Sequence, residues 1–256
     1  MEAKTPPQIF SAARRRTNRE RMHALQQCDD AARYVLDDMV EDAIDRLDFM
    51  HLDPKFALVI GDWTGGFAKS LTGAEVVAAD PAGIGGALEL EEGLPFPARD
   101  FDLIASFGTL DTVNDLPGAL IHIREALAPG GFFIGNIVGA GSLQNLRGAL
   151  LQADGDRPAA RMHPMVDVRA GAELMQRAGF SKQVVDGHSV DVRFGSLERL
   201  ISDLREQGLG NALKNRAASL DRFAYRIAQQ AFAANADADG KVAERFEIIT
   251  LSGWKS

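Results

Sequence analysis

Apolar and polar positions along the chain follow two different periods. Between residues 34 and 50, apolar side chains recur at helical spacing among acidic ones, which predicts an amphipathic helix that ends before Asp53-Pro54. Residues 56–60, 75–79, 101–107 and 132–138 are largely continuous apolar runs of strand length. Such runs are typical of strands that are covered on both faces. Helix-like segments separate them, so we predict an α/β fold with an open parallel sheet and right-handed crossovers.

After residue 138 the pattern changes. Helical segments are predicted at about 142–153 and 168–178, and residues 183–194 are typical of a strand. Two long helical segments, at about 197–214 and 217–235, then precede a last strand at 246–251. We therefore divide the chain into an N-terminal helical arm (1–50), an α/β core (51–194), a helical cap (195–240) and a last core strand (241–256).

Composition excludes several classes of function. The net charge of -8 argues against general binding to nucleic acids or membranes, because both are anionic. One cysteine and five scattered histidines do not predict a disulfide or a metal site. No apolar run approaches the roughly 20 residues that span a bilayer. The polar, Arg-rich start lacks the pattern of a signal peptide, so the cytoplasm is the expected location.

The candidate chemistry lies where the first predicted strands end. Residues 61–66 form a Gly-containing loop after the first strand, and Asp80 closes the second. Loop and helix N–H groups can face a ligand there, and a carboxylate at this position can accept both ribose hydroxyls of a nucleoside. The alternative is a packed sheet in which the glycines only make a tight turn and Asp80 caps a strand.

Short motifs extend this pattern over nearly the whole chain. They are Leu-Pro-Phe at 94–96, Phe-Asp-Leu-Ile at 101–104, Val-Asn-Asp-Leu-Pro at 113–117, Pro-Gly-Gly at 129–131 and stretches at 177–180, 203–205, 211–213 and 246–254. On these residues the chain resembles the class I S-adenosylmethionine-dependent methyltransferases. It is most similar to the branch with the malonyl-acyl-carrier-protein methyltransferase and the complex I assembly factor that hydroxylates an arginine. The resemblance implies a Rossmann-like, seven-stranded sheet with an N-terminal helical arm and a C-terminal helical cap insertion.

The resemblance also implies S-adenosylmethionine as cofactor and a set of residues that contact it. The implied set is Gly61, Asp62, Trp63, Gly65, Asp80, Glu91, Phe107 and Asp111. The chain departs from the family at Val59 and Leu90, where acids are usual, and at Trp63, where glycine is usual. Each such loss would weaken cofactor binding by about 1–3 kcal/mol. We expect the Trp63 indole to fill the methionine side of the pocket.

The leading prediction is a methyltransferase-like protein with a degenerate cofactor loop, acting on a small-molecule, acyl-carrier or protein substrate. The alternative is a complex I assembly protein that is non-catalytic or hydroxylates arginine. The sequence identifies no catalytic residue and no metal ligand. Asp111 is an acid/base residue, a cofactor contact or a solvated loop carboxylate, and His163 is a general base or a structural residue. The arginines between 14 and 21 lie on a solvated or sheet-capping helix, or dock an acidic protein partner or a nucleic acid.

Overall fold

A seven-stranded mixed sheet forms the centre of the structure, a computed structural model that describes residues 8–256. Its strands are β1 (Phe56–Ile60), β2 (Glu75–Asp80), β3 (Leu88–Glu89), β4 (Phe101–Phe107), β5 (Leu127–Val138), β6 (Ser181–Phe194) and β7 (Val242–Trp254). The helices are α1 (Ala12–Leu25), α2 (Tyr34–Phe49), α3 (Gly66–Ser70), α4 (Leu116–Ala126), α5 (Gln144–Asp154), α6 (Val168–Ala178), α7 (Leu197–Glu206) and α8 (Arg222–Ala233). The strand order is β3-β2-β1-β4-β5-β7-β6. The first seven residues of the predicted arm lie outside the described part of the chain.

The direction of the strands confirms one part of the prediction and corrects another. Strands β1 to β5 are parallel to one another, as the alternation of strands and helices predicts. Strand β7 instead lies antiparallel between β5 and β6, so the prediction of a parallel sheet is wrong at this edge. Apolar runs identify a strand but not its direction. The α/β fold and the seven strands that the resemblance implies are both present.

Apolar side chains cover both faces of the sheet. Helices α2, α5, α7 and α8 pack on one face with the inner side chains of β1 and β4. Helices α4 and α6 pack on the other face. The amphipathic stripe predicted for α2 is confirmed, because Leu36, Met39, Val40, Ala43 and Leu47 are buried.

The cap is less helical than its sequence pattern predicts. Helix α7 ends at Glu206, and α8 begins only at Arg222. The backbone at Gly208 has a φ of 75°, and a β-carbon there would lie 3.0 Å from the Met22 sulfur. Glycine fits this turn because it tolerates positive φ and leaves room for α1. The segment 207–221 is therefore an irregular loop between two shorter helices.

That loop and Asn114 hold the start of α1. The Asn114 side-chain oxygen accepts hydrogen bonds from the Ile9 and Phe10 N–H groups, each at 2.8 Å. The Ser11 N–H donates to the Ala212 carbonyl at 2.9 Å, and the Ser11 hydroxyl caps α1. Helix α1 thus lies against the loops that follow β1, β2 and β4. No helix among residues 8–256 is long and apolar enough to cross a bilayer.

Candidate functional site

The loop after β1 passes close to the backbone at the end of β4. Gly61 has a φ of 83°, and a β-carbon there would lie 2.5 Å from the Phe107 carbonyl oxygen. Only glycine fits this position. The Asp62 carboxylate turns back onto α3, where it accepts from the Gly66 N–H at 3.2 Å and the Ala68 N–H at 3.0 Å. Asp62 therefore stabilises the start of α3, and its two oxygens already have partners.

Asp80 ends β2 at the predicted place, but its carboxylate is bound to the N-terminal helix. One oxygen accepts from the Ala82 N–H at 2.8 Å. The other accepts from Arg19 Nη2 at 2.5 Å and Arg19 Nε at 3.0 Å. Arg19 Nη2 also donates to the Gly61 carbonyl at 3.1 Å, and both side chains are at least nine-tenths buried. A guanidinium thus occupies the position predicted for ribose hydroxyls.

A second arginine of α1 makes a similar buried pair. Arg15 binds both oxygens of Glu92, at 2.6 and 2.8 Å, and donates to the Thr109 carbonyl at 2.8 Å. Burial opposes the charge of Arg15, but the Glu92 carboxylate raises the guanidinium pKa above its ordinary value. The Glu92 side chain is completely buried, whereas Glu91 is exposed. The predicted contact Glu91 thus lies at the surface, while the adjacent Glu92 faces the interior, and no sequence signal distinguishes these two glutamates.

Asp111 lies beside these pairs and is incompletely bonded. Its Oδ1 atom is inaccessible to solvent and has no hydrogen-bond partner among the described residues. Burial raises the pKa of Asp111 to about 6, although Arg15 and Arg19 oppose this shift. The prediction of a solvated loop carboxylate is wrong, because this oxygen faces the interior.

The space left at the strand ends is small. A cavity of about 50 Å³ is bounded by Arg15, Arg19, Gly108, Asp111 and His163, among others. Pockets that bind small ligands have volumes of roughly 300–1,000 Å³. The two guanidinium groups and their carboxylate partners also take up the polar groups that a nucleoside would need. In this conformation the site does not fit the cofactor.

Three of the predicted contacts lie away from this cavity or turn their side chains from it. Trp63 is half-buried and packs against the core on the α2 side of the sheet, so its indole does not fill the predicted pocket. The Phe107 ring is buried and meets the Phe67 ring at a centroid distance of 5.0 Å. Glu91 points to solvent. The described structure thus brings Gly61, Asp80 and Asp111 together around α1, with Asp62 and Gly65 in the adjoining turn.

His163 joins the cap loop to the N-terminal arm. Its Nε2 atom accepts from the Ala212 N–H at 2.7 Å, and the Phe10 ring packs edge-on against it at 5.2 Å. Burial lowers the pKa of His163 to about 4, so the ring is neutral at pH 7. A ring nitrogen that accepts a buried backbone hydrogen bond is not free to act as a general base. Among residues 8–256, no group of three or more His, Cys, Asp or Glu side chains is arranged to hold a metal ion.

A family model described as a methyltransferase domain matches residues 32–185, more than half of the chain. The chain belongs to the methyltransferase family. One curated relative is the arginine-hydroxylase NDUFAF5 of Rattus norvegicus. It is 34% identical to this chain over 169 residues, which cover 64% of this chain and 49% of the relative. The malonyl-[acyl-carrier protein] O-methyltransferase of Halorhodospira halophila is 30% identical over 169 residues, which cover 63% of this chain and 54% of the relative.

These relatives and a solved structure support the family and the fold. The matches span about half the length of these curated relatives. The YcgJ protein of Bacillus subtilis superposes with a TM-score of 0.55 at 13% identity, covering 85% of this chain and 97% of its own. The resemblance to both branches predicted from the sequence is confirmed. The protein is S-adenosylmethionine-dependent methyltransferase-like in sequence and fold.

Proposed function

We propose that this methyltransferase-family protein is a non-catalytic binding protein whose own N-terminal helix occupies the place of the nucleoside cofactor. The buried Arg19–Asp80 pair carries this proposal. Asp80 lies where this fold can hold a ribose. Its Oδ2 atom, which the Ala82 N–H does not use, accepts instead from Arg19. The loss of glycine at Trp63 and of an acid at Val59 agrees with a site that no longer needs cofactor contacts.

The energetics favour the closed site. A cofactor that displaces Arg19 must break a buried ion pair, and breaking such a pair costs about 3–5 kcal/mol. Every 1.4 kcal/mol changes a dissociation constant tenfold. A site with an intrinsic dissociation constant of about 10 μM would therefore have a constant weaker than about 1 mM.

Calorimetric titration with S-adenosylhomocysteine tests the proposal. This ligand lacks the sulfonium charge, so it is the more favourable of the two nucleosides for a site lined by guanidinium groups. We expect a dissociation constant weaker than about 1 mM for the wild-type protein. A micromolar constant would overturn the proposal. The same sample, followed by thermal unfolding, shows that the titrated protein is folded.

A second candidate function is favoured by one observation. The buried Oδ1 of Asp111 has no partner among the described residues, and Gly61 and Asp80 retain their cofactor-compatible positions. These features support an S-adenosylmethionine-dependent methyltransferase in which α1 moves away and Asp111 gains a ligand contact. A micromolar titration in wild type would favour this candidate, with a small molecule, an acyl-carrier group or a protein as substrate.

A further inference from the structure

A second and larger cavity lies next to the closed nucleoside site. It is bounded by α1, α5, α7 and the loops around residues 161–165 and 208–211, and its volume is about 290 Å³. This volume is near the lower end of the range for small-ligand pockets. Helix α1 borders both cavities, because Arg19 lines the smaller one and Arg21 lines the larger one. The cavity therefore stays available while Arg19 binds Asp80.

Part of the lining of this cavity is apolar. Leu146 and Leu150 of α5 and Ile201 and Leu204 of α7 contribute it. Leu146 and Leu204 are buried, and the other two are half-buried against the same core. An aliphatic group that entered here would be removed from water, at a gain of about 0.8 kcal/mol per buried methylene.

Another part of the lining carries positive charge. Arg21, Arg205 and Arg216 contribute it, and each is exposed without a carboxylate within salt-bridge distance among the described residues. Arg161 also lines the cavity, but Asp154 neutralises it through a pair at 2.7 Å. His163 is neutral, as its hydrogen bond and lowered pKa require. Within residues 8–256 no aspartate or glutamate lines the cavity, although the protein has a net charge of -8.

Charge and polarity together define a ligand. Apolar side chains and three guanidinium groups around one cavity suit an aliphatic chain that ends in an anion, because the chain is desolvated while the anion receives charge-assisted hydrogen bonds. A neutral or cationic ligand would leave the three arginines unmatched. A nucleic acid does not fit an acidic protein with an apolar cavity of this size.

We propose that this cavity binds an anionic amphiphile, an aliphatic chain of medium length that ends in a carboxylate or a phosphate. The inference deepens the proposed function and rests on it in one respect, because the ligand is bound and not chemically changed. Helices α5 and α7 hold the chain, and Arg21, Arg205 and Arg216 hold the anionic end.

Calorimetric titration of the full chain with four ligands of one chain length tests this inference. The ligands are decanoate, decyl phosphate, decanol and decyltrimethylammonium, each below its micelle-forming concentration. We expect decanoate or decyl phosphate to bind at least tenfold more tightly than decanol, and the cation to bind most weakly. The tighter of the two anions identifies the head group as carboxylate or phosphate. If neither anion binds more tightly than decanol, or if neither anion binds, the inference is overturned.

Three variants locate the ligand. Arg205→Gln and Arg216→Gln should each weaken binding of the preferred anion about tenfold and reduce its dependence on salt. Leu150→Asp should weaken it further, because a carboxylate would stand among the chain contacts. Arg226→Gln on α8 is the matched control, since Arg226 does not line the cavity and should leave affinity unchanged. Unchanged binding in both glutamine variants would place the ligand elsewhere.

A parallel titration of wild type with S-adenosylhomocysteine separates the two proposals. Decanoate binding together with micromolar nucleoside binding would remove the proposed function and leave the cavity assignment standing. If neither decanoate nor S-adenosylhomocysteine binds, the cavity assignment is wrong and the proposal of a closed nucleoside site stands. Mass spectrometry of the recovered decanoate after incubation with S-adenosylmethionine should show no methyl ester, and a gain of one methylene mass would show that the ligand is converted.

Discussion

The Arg19–Asp80 pair should couple the N-terminal helix to the sheet, and a double-mutant cycle measures that coupling. Arg19→Met keeps the aliphatic stem but leaves Asp80 Oδ2 buried without its partner. Asp80→Asn removes the charge but keeps the oxygen that accepts from the Ala82 N–H. Both side chains are at least nine-tenths buried, so solvent screens their interaction only slightly.

The magnitudes follow from these contacts. Arg19→Met should cost about 3–5 kcal/mol of unfolding free energy, because an uncompensated charge stays buried. Asp80→Asn should cost less, since the guanidinium keeps the Gly61 carbonyl as acceptor. In the double variant no charge is stranded, so its cost should fall below the sum of the single costs by about 1.5–3 kcal/mol.

Urea unfolding, followed by both circular dichroism and tryptophan fluorescence, measures the four proteins. Arg16→Met is a matched control on the same helix, because Arg16 pairs with Glu89 at the exposed surface and should change stability only within error. If the two single costs add to within about 0.5 kcal/mol, the side chains do not contact each other in solution and the account of the closed site fails.

Three further predictions concern the neighbours of this pair. Asp111→Asn should stabilise the protein at pH 7 by about 1–3 kcal/mol, because the raised pKa of about 6 makes the buried carboxylate costly above that pH. As pH falls from about 6 to 4, protonation of Asp111 stabilises the wild type, whereas protonation of His163 destabilises it as pH falls from about 6.5 to 4. The Asp111→Asn variant keeps only the destabilising effect, so its melting temperature should drop more steeply with acid than that of the wild type. Equal pH dependence of the two melting temperatures would count against both pKa shifts. Asn114→Ala removes three hydrogen bonds to residues 9–10 and should expose α1 to protease without lowering the protection of the sheet, which limited proteolysis would show. Trp63→Gly should destabilise the protein by about 1–3 kcal/mol and leave nucleoside affinity unchanged, whereas a gain in S-adenosylhomocysteine affinity by calorimetry would place the indole in the pocket.

Local patterns in the sequence were enough to predict the sheet-forming core. Continuous apolar runs identify β1, β2, β4 and β5, because strands covered on both faces need no polar positions. The position of Asp80 at the end of β2 follows from the same pattern. Strand direction at the β7 edge and the early end of α7 depend on contacts between distant segments, such as the approach of Gly208 to Met22.

The use made of the N-terminal arginines could not be predicted in the same way. A helix with five closely spaced arginines is typical of a solvated surface, and no neighbouring residue in the sequence indicates that two of these arginines are buried. Arg19 meets Asp80 across 61 positions of sequence, and Arg15 meets Glu92 across 77. The position of Asp80 at the end of β2 was predicted, but its partner was not: Asp80 was expected to face a ligand, and it pairs with Arg19 of the chain's own helix.

Hydrogen–deuterium exchange of α1 tests the central claim most directly. If α1 occupies the nucleoside site, the amides of Ala12–Leu25 are protected in the wild-type protein, and 1 mM S-adenosylhomocysteine, about the limit of affinity expected here, leaves their exchange rates nearly unchanged. The Asp80→Asn variant should release this protection while β1 and β4 stay protected. Rapid exchange of α1 in wild type, followed by a marked change at α1 and at Asp80 when the nucleoside is added, would contradict the account.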